Sequence, residues 1–201
     1  MVFRKYKLGE IKIEKMKILL FGSDGQLGKS ILNLDLNKKN HILSLNKKKL
    51  NINHFNKTYN LITKYNPDLV INCSAYTNVD KSEINKKIAI KTNSEAVKNI
   101  ALGCKISNSA LIHFSTDYVF DGKKSNYKET FKTQPLNYYG YSKLMGEKFI
   151  KKILNKYFII RISWLYSHYS SNFVTKVIRN LNSNKNMNIV NDQFGLPTSA
   201  D

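Results

Sequence analysis

The sequence has few cysteines and no long apolar run. Its two cysteines, Cys73 and Cys104, lie in otherwise apolar stretches and lack the spacing of a metal site or a redox motif, so we expect buried free thiols rather than a disulfide. No segment is apolar for long enough to span a bilayer, and the first 15 residues lack the apolar core and cleavage site of a secretory signal. These absences predict a cytoplasmic protein that does not bind membranes.

Acidic residues are also scarce, with 14 against 33 basic residues, which gives a formal charge of +19. Such an excess raises the alternative of a nucleic-acid partner. However, only three basic residues are arginines, and the lysines are scattered among asparagines rather than clustered with aromatic side chains. We interpret the charge as a compositional bias over an ordinary fold, and we expect no nucleic-acid partner.

Short apolar runs alternate with segments of helical length. Residues 1–15 are charged and lack periodicity, which predicts a disordered extension. Strands are expected at Lys17–Phe21, His41–Leu45, Asp68–Ser74, Ala110–Ser115, Tyr157–Ser163 and Met187–Val190, with helices after Gly25, within Phe55–Tyr65, and over Glu83–Cys104, Tyr139–Lys152 and Asn172–Leu181. This alternation predicts an α/β fold over residues 16–201, a doubly wound parallel sheet of the Rossmann type.

A glycine-rich turn follows the first strand and opens a helix, with Gly22, Gly25 and Gly28 in G-S-D-G-Q-L-G. Small residues let the backbone approach a pyrophosphate, whose charge the start of a helix favours. The second strand ends at Leu45-Asn46-Lys47-Lys48-Lys49, without the carboxylate that binds the ribose of NAD. We therefore expect NADPH as the cofactor, with NADH as the alternative.

Tyr139 and Lys143 lie four residues apart on a predicted helix, so both side chains project from one face. In that geometry the ammonium can lower the pKa of the phenol and reach the ribose of a nicotinamide nucleotide. Tyr139 would then donate a proton to a carbonyl oxygen of the substrate as hydride arrives at the carbonyl carbon. Thr116 follows a predicted strand and can hydrogen-bond that same oxygen. The four histidines are dispersed without ligand spacing, and no G-x-S-x-G elbow is present, so metal and nucleophilic catalysis have little support.

The chain resembles the dTDP-4-dehydrorhamnose reductases, within the extended short-chain dehydrogenase/reductase family. The matching motifs are G-S-D-G-Q-L-G at 22–28, P-D-L-V-I-N-C-S-A-Y-T-N-V-D-K-S-E at 67–83, S-T-D-Y-V-F-D-G at 115–122, P-L-N-Y-Y-G-Y-S-K-L-x-G-E at 135–147, R-I-S-W-L-Y at 161–166 and D-Q-F-G-L-P-T-S-A at 192–200. The resemblance implies reduction of the 4-keto group of dTDP-4-dehydro-L-rhamnose with NADPH or NADH, a step in surface-polysaccharide synthesis. It implies catalytic roles for Thr116, Tyr139 and Lys143, substrate contacts by Thr116, Asp117 and Trp164, and cofactor contacts by Gly22, Gly25, Gln26, Leu27, Gly28, Asn46, Ser74, Ala75, Tyr76, Thr77, Tyr139 and Lys143.

Two departures from this family pattern bear on function. Asn46 stands where related sequences often have Asp, which leaves the choice between NADPH and NADH open. The sequence also ends at Asp201, where family members continue through most of a smaller substrate domain, so we expect residues 16–201 to be the dinucleotide domain plus the beginning of the substrate region. An exposed apolar docking surface would then favour self-association, for example as a homodimer.

Two alternatives from the same fold remain open at this point. One is a non-catalytic NADP-binding regulatory subunit, similar to that of methionine adenosyltransferase. The other is a reductase or epimerase that acts on a different nucleotide sugar. An intact set of Thr116, Tyr139 and Lys143 favours an enzyme over a binding subunit.

Overall fold

The computed structural model describes residues 15–34, 39–183 and 186–200. The predicted extension, apart from Lys15, lies outside the described residues. No helix in these ranges is long and apolar enough to cross a membrane.

A parallel sheet of five strands forms the centre of the fold, with the strand order β2-β1-β3-β4-β5. Its strands are β1 (Lys17–Phe21), β2 (His41–Leu45), β3 (Leu69–Asn72), β4 (Ala110–Thr116) and β5 (Tyr157–Ile162). Every pairing is parallel, because a helical crossover separates each strand from the next along the chain. The predicted doubly wound α/β sheet is confirmed.

Helices cover both faces of this sheet. They are α1 (Gln26–Asn33), α2 (Phe55–Tyr65), α3 (Val79–Ile84), α4 (Lys86–Ile90), a π-helical turn (Lys91–Glu95), α5 (Ala96–Ile106), a 3-10 turn (Asp117–Val119), α6 (Tyr138–Ile153) and α7 (Phe173–Asn182). Leu19 and Phe21 of β1 belong to the larger core, with side chains of α2, α5 and α6. Ile18 and Leu20 belong to a smaller core, where α1 packs. Alternate residues of one strand thus enter opposite layers.

The long helix predicted over Glu83–Cys104 begins earlier and is divided. Asn78 caps α3, its side-chain oxygen accepting from Lys81 N at 2.8 Å, so the helix starts at Val79. At Asn85 the backbone leaves the helical region, with ψ at 47°, and a π-helical turn follows. Neither break carries a glycine or proline signal in the sequence.

The strand predicted at Met187–Val190 was wrong. Ile189 and Val190 are exposed, and no strand among the described residues lies beside them, so backbone pairing is missing. A small parallel pair forms instead between β6 (Leu165–Tyr166) and β7 (Thr198–Ser199). Two-residue strands of this kind depend on tertiary contacts rather than on their own sequence pattern.

Both cysteines are free thiols, as predicted. Cys104 is buried in the larger core, whereas Cys73 at the end of β3 is only partly buried. Loss of solvent raises the pKa of each thiol to about 12, so both stay protonated at neutral pH.

Candidate active site

The glycine turn joins β1 to α1 at the point where the sheet order reverses. Gly22 has a φ of 79° and donates from its N–H to Leu45 O at 2.9 Å. A Cβ at Gly22 would lie 2.8 Å from the backbone of Cys73 and Ser74, and one at Gly28 would overlap the carbonyl oxygen of Gly22. These two glycines therefore let the turn pack on β3 and let α1 pack on the turn.

Gly25 differs, because packing within the chain does not require it to be glycine. A Cβ there would meet nothing closer than Gly22 O at 3.4 Å, which is ordinary contact. Gly25 is the N-cap of α1, the cap makes no side-chain hydrogen bond, and the first turn of α1 has no acidic residue. The space and the helix start fit the phosphates of a dinucleotide, at the switch point where such folds bind ligands.

The side chain of Gln26 is used by the protein itself. Its Nε2 donates to Leu165 O at 3.1 Å, and its Oε1 accepts from Ser167 Oγ at 3.3 Å and from Asn172 Nδ2 at 3.4 Å. Gln26 thus ties the first turn of α1 to the 165–172 segment. Because the Gln26 side chain is occupied, we expect the cofactor to contact the backbone of Gln26 and Leu27.

Asn46 follows β2 directly, beside the glycine turn. Its Oδ1 accepts from Lys49 N at 2.9 Å, which closes a short turn that exposes Lys47, Lys48 and Lys49. Asn46 therefore stands where a ribose-binding carboxylate would be in an NAD site, and three exposed lysines follow it.

The loop from Ser74 to Thr77, which includes Ala75, follows β3 on the same edge of the sheet. Ser74 N donates to Asn72 Oδ1 at 3.0 Å. Tyr76 is held at both backbone groups by one side chain, since its N donates to Asn93 Oδ1 at 2.8 Å and its O accepts from Asn93 Nδ2 at 3.0 Å. The structure therefore brings this predicted cofactor loop to the edge that also carries the glycine turn.

The catalytic candidates come together where β4 ends and α6 begins. Asn137 caps α6, accepting from Gly140 N at 2.7 Å, and a Cβ at Gly140 would overlap the carbonyl oxygen of Tyr118. This close approach sets the start of α6 against the turn that follows Thr116. As a result, the Thr116 side chain lies close enough to the Tyr139 phenol to act on its pKa.

The pKa of Tyr139 differs from our expectation. Burial raises it to about 12, the Thr116 hydrogen bond opposes this rise, and Lys143 is not among the groups that act on the phenol. The predicted lowering of this pKa by Lys143 was therefore wrong. At neutral pH Tyr139 is a neutral phenol, which is the form that donates a proton.

Lys143 is buried, with 2% of its surface exposed, and its Nζ donates to Phe114 O at 2.6 Å. Burial lowers the pKa of Lys143 to about 8, while the negative charge of Glu147 one helical turn away acts to raise it. Lys143 is therefore a cation at pH 7 that loses its proton slightly above neutrality.

The substrate-side candidates fall in two places. Asp117 accepts from Thr116 Oγ1 at 3.2 Å, and burial raises the pKa of its carboxyl group. Trp164 follows β5 with a φ of 45°, is 42% exposed, and packs on Gly195 and near Phe173. From the sequence alone, core packing would be the default for a single tryptophan. A strained, exposed tryptophan is more typical of a binding site.

The family described as "RmlD substrate binding domain" matches residues 16–201. The chain belongs to this family. It is 38% identical over 184 residues to the dTDP-4-dehydrorhamnose reductase of Aggregatibacter actinomycetemcomitans, an alignment that covers 90% of this chain and 63% of the relative. The resemblance drawn from the motifs is confirmed.

Solved structures agree with this membership in the RmlD substrate binding domain family. The Bacillus anthracis dTDP-4-dehydrorhamnose reductase in complex with NADP is 36% identical, with a TM-score of 0.89 over 92% of this chain and 66% of that one. The Clostridium acetobutylicum protein of the same name is 36% identical, with a TM-score of 0.87 and the same coverage. The chain thus spans just under two thirds of the length of these relatives.

Two polar residues of this RmlD-family chain were missed by sequence reasoning. Asn93, buried in the π-helical turn, donates to Ser142 Oγ at 2.9 Å, and Ser142 Oγ donates to Tyr139 O at 2.7 Å. Asn93 therefore joins the Tyr76 loop to the helix that carries Tyr139. The sequence carried no signal for this role, because Asn93 stands in the polar run Lys91-Thr92-Asn93-Ser94-Glu95.

Proposed function

We propose that this chain binds NADP(H) across the carboxyl edge of its sheet and reduces the 4-keto group of dTDP-4-dehydro-L-rhamnose. The observation that carries the proposal is the position of Tyr139 beside Thr116, with Lys143 buried one helical turn further along α6. The names of the relatives, and the NADP in the Bacillus anthracis structure, support the same reaction and cofactor.

The cofactor would lie along residues that the fold has gathered at one edge. The start of α1 over Gly25 suits its phosphates, and Asn46 with the exposed lysines after it suits the adenosine ribose of NADP(H), including its additional phosphate. Lys143 would bind the nicotinamide ribose through its ammonium hydrogens. When bound, the nicotinamide nucleotide supplies the hydride for reduction of the carbonyl carbon.

Tyr139 would supply the proton. Its phenol is neutral at pH 7, so it can donate to the carbonyl oxygen as negative charge develops there. Thr116 would hydrogen-bond the same oxygen as negative charge develops on it. Asp117 and Trp164 would contact the nucleotide sugar.

We also propose a cytoplasmic location and association with a second copy of the chain. Two free thiols suit a reducing compartment. Exposed apolar side chains on the edge strand β5 suit burial against another copy. A pure binding role, as in a regulatory subunit, would have no need for a buried Lys143 beside a neutral phenol and a strand-end hydroxyl.

The test replaces the proton donor and keeps its ring. Tyr139→Phe should lower the rate of NADPH oxidation with dTDP-4-dehydro-L-rhamnose by about 10²-fold or more, while the affinity for NADPH stays within about twofold. Tyr141→Phe is the matched control, because Tyr141 lies on the same helix with an exposed ring, and it should retain the parent rate. Equal rates for Tyr139→Phe and the parent would remove Tyr139 from the mechanism.

A further inference from the structure

Glu147 is a completely buried carboxylate on α6 that binds two neighbouring strands. Arg161 of β5 donates two hydrogen bonds to this carboxylate, from Nε to Oε1 at 2.9 Å and from Nη2 to Oε2 at 2.6 Å. Ser115 of β4 donates from Oγ to Oε1 at 2.6 Å. Ser115 and Arg161 are themselves paired across β4 and β5, so the carboxylate closes a junction of one helix and two strands.

This junction lies next to the proposed catalytic residues. Ser115 precedes Thr116 along β4, and Glu147 follows Lys143 by one turn of α6. Arg161 extends the junction outward, since its guanidinium lies 4.9 Å from the ring centre of Phe120 and donates to Glu129 O at 3.4 Å.

Stability does not require such an arrangement. A buried ion pair gains little over apolar residues of the same shape, because both charges must leave water. An apolar contact would join α6 to the sheet equally well. A charge kept at this cost points to a role in the chemistry of the site.

We propose that Glu147 is a positioning residue for Lys143: anchored by Ser115 and Arg161, its carboxylate fixes a negative charge one helical turn along α6 from Lys143. The catalytic meaning of this inference rests on the proposed function. Glu147 itself touches neither cofactor nor substrate in this account.

The other titratable groups around Lys143 do not supply this charge. Cys73 at the end of β3 keeps its proton, with a pKa of about 12, and His113 of β4 is neutral because burial and Lys143 hold its pKa well below the usual value. Tyr139 is neutral, and Lys151, which lies 3.9 Å from Glu147 Oε2, is a cation. Arg161, whose Nη2 lies 2.6 Å from Glu147 Oε2, is also a cation, so Glu147 is the anion among these described neighbours of Lys143.

The experiment measures the titration of Lys143 in the full chain by NMR with lysine labelled with ¹³C at the ε carbon. The Lys143 signal is identified by its absence in Lys143→Arg. Glu147→Gln alone leaves the largely buried Arg161 without its carboxylate partner, which threatens folding, so the main variant is the double substitution Glu147→Gln with Arg161→Met. Ser115→Ala is the control, because it removes one hydrogen bond of the junction and no charge.

We expect the double variant to fold and the titration midpoint of Lys143 to fall by roughly half a pH unit, because loss of the Glu147 charge lowers the midpoint and simultaneous loss of the Arg161 charge offsets part of that fall. Ser115→Ala should leave the midpoint unchanged. A folded double variant with the parent midpoint would overturn the inference, because a purely structural junction would not alter the titration of Lys143.

A second readout separates this inference from the proposed function. If the parent reduces the sugar, the alkaline fall in its rate should move to lower pH in the double variant by the same amount as the midpoint. If the parent binds or reduces nothing while the midpoint still shifts, the proposed function fails and the coupling of Glu147 to Lys143 stands. Turnover with an unchanged midpoint would reject the coupling alone.

Discussion

Burial acts in opposite directions on the two residues that carry the proposed chemistry. It raises the pKa of the Tyr139 phenol and lowers the pKa of the Lys143 ammonium, because in both cases the charged form loses its water. The pair therefore enters the reaction as a neutral acid beside a cation. Spacing in the sequence indicates which residues meet, but not how deeply the fold buries them. The direction of the Tyr139 pKa shift could therefore not be predicted from the sequence.

Lys143 should cost stability at neutral pH. The fall of its pKa from 10.5 in the unfolded chain to about 8 in the folded one corresponds to a penalty of about 3 kcal/mol when both states are protonated. Above pH 8 the folded state releases the proton first, so stability from this group rises with pH until about 10.5. Lys143→Met should therefore raise the free energy of unfolding at pH 7 by about 1–3 kcal/mol, and this gain should disappear as the pH approaches 10.5.

Urea denaturation at several pH values checks this prediction. Lys148→Met, at an exposed position of the same helix, is the control and should change the free energy of unfolding little at any pH. A Lys143→Met protein that is less stable than the parent at pH 7, with no pH-dependent difference, would contradict the buried-cation account.

At the level of elements, α6 depends on close backbone contacts to reach the site. A Cβ at Gly146 would overlap the carbonyl oxygen of Asn93 in the π-helical turn. Gly146→Ala should therefore destabilise the protein by about 1–3 kcal/mol despite the better helix propensity of alanine, because backbone must move. It should also displace the Asn93 side chain that holds Tyr76, and so weaken NADPH binding.

Gly103→Ala on α5 is a matched comparison for Gly146→Ala. Its Cβ would lie 3.0 Å from the Ile62 side chain, which can shift, so the cost should be smaller. Thermal unfolding and NADPH titration of both variants measure the difference. Equal stability of the two would show that the contact of α6 with the π-helical turn is not tight.

Sequence patterns predicted the elements whose own residues encode them. The apolar run of β1 stopped by Gly22, and the helix with Tyr139 and Lys143, were both found where predicted. The π-helical turn and the short β6 and β7 pair were missed, since contacts distant in the sequence form them. Ile189 and Val190 resemble a strand locally but have no neighbouring strand to pair with.

At the scale of the whole molecule, the edge strand β5 is incompletely covered. Phe158 is 67% exposed and Ile160 is 41% exposed, whereas Tyr157 and Ile159 on the other face pack against the larger core. Contiguous apolar surface of this kind favours association.

Phe158→Lys should therefore shift the chain toward the monomer in analytical ultracentrifugation. The reason is that a charge on the uncovered face cannot be buried against a second copy without cost. Ile106→Lys, at an exposed residue at the end of α5, is the control and should leave the association unchanged. An identical oligomer distribution for Phe158→Lys and the parent would exclude this face as the contact.

The central claim concerns a hydride delivered to one carbon of a sugar, so the most direct measurement follows that hydrogen. NADPH carrying deuterium at its transferable position is incubated with the purified chain and dTDP-4-dehydro-L-rhamnose, and the product sugar is examined by mass spectrometry and NMR. The account predicts one deuterium at C4 of the sugar for each NADPH consumed, with no transfer in Tyr139→Phe. An unlabelled or epimerised sugar, or bound NADPH with no label transferred, would contradict it.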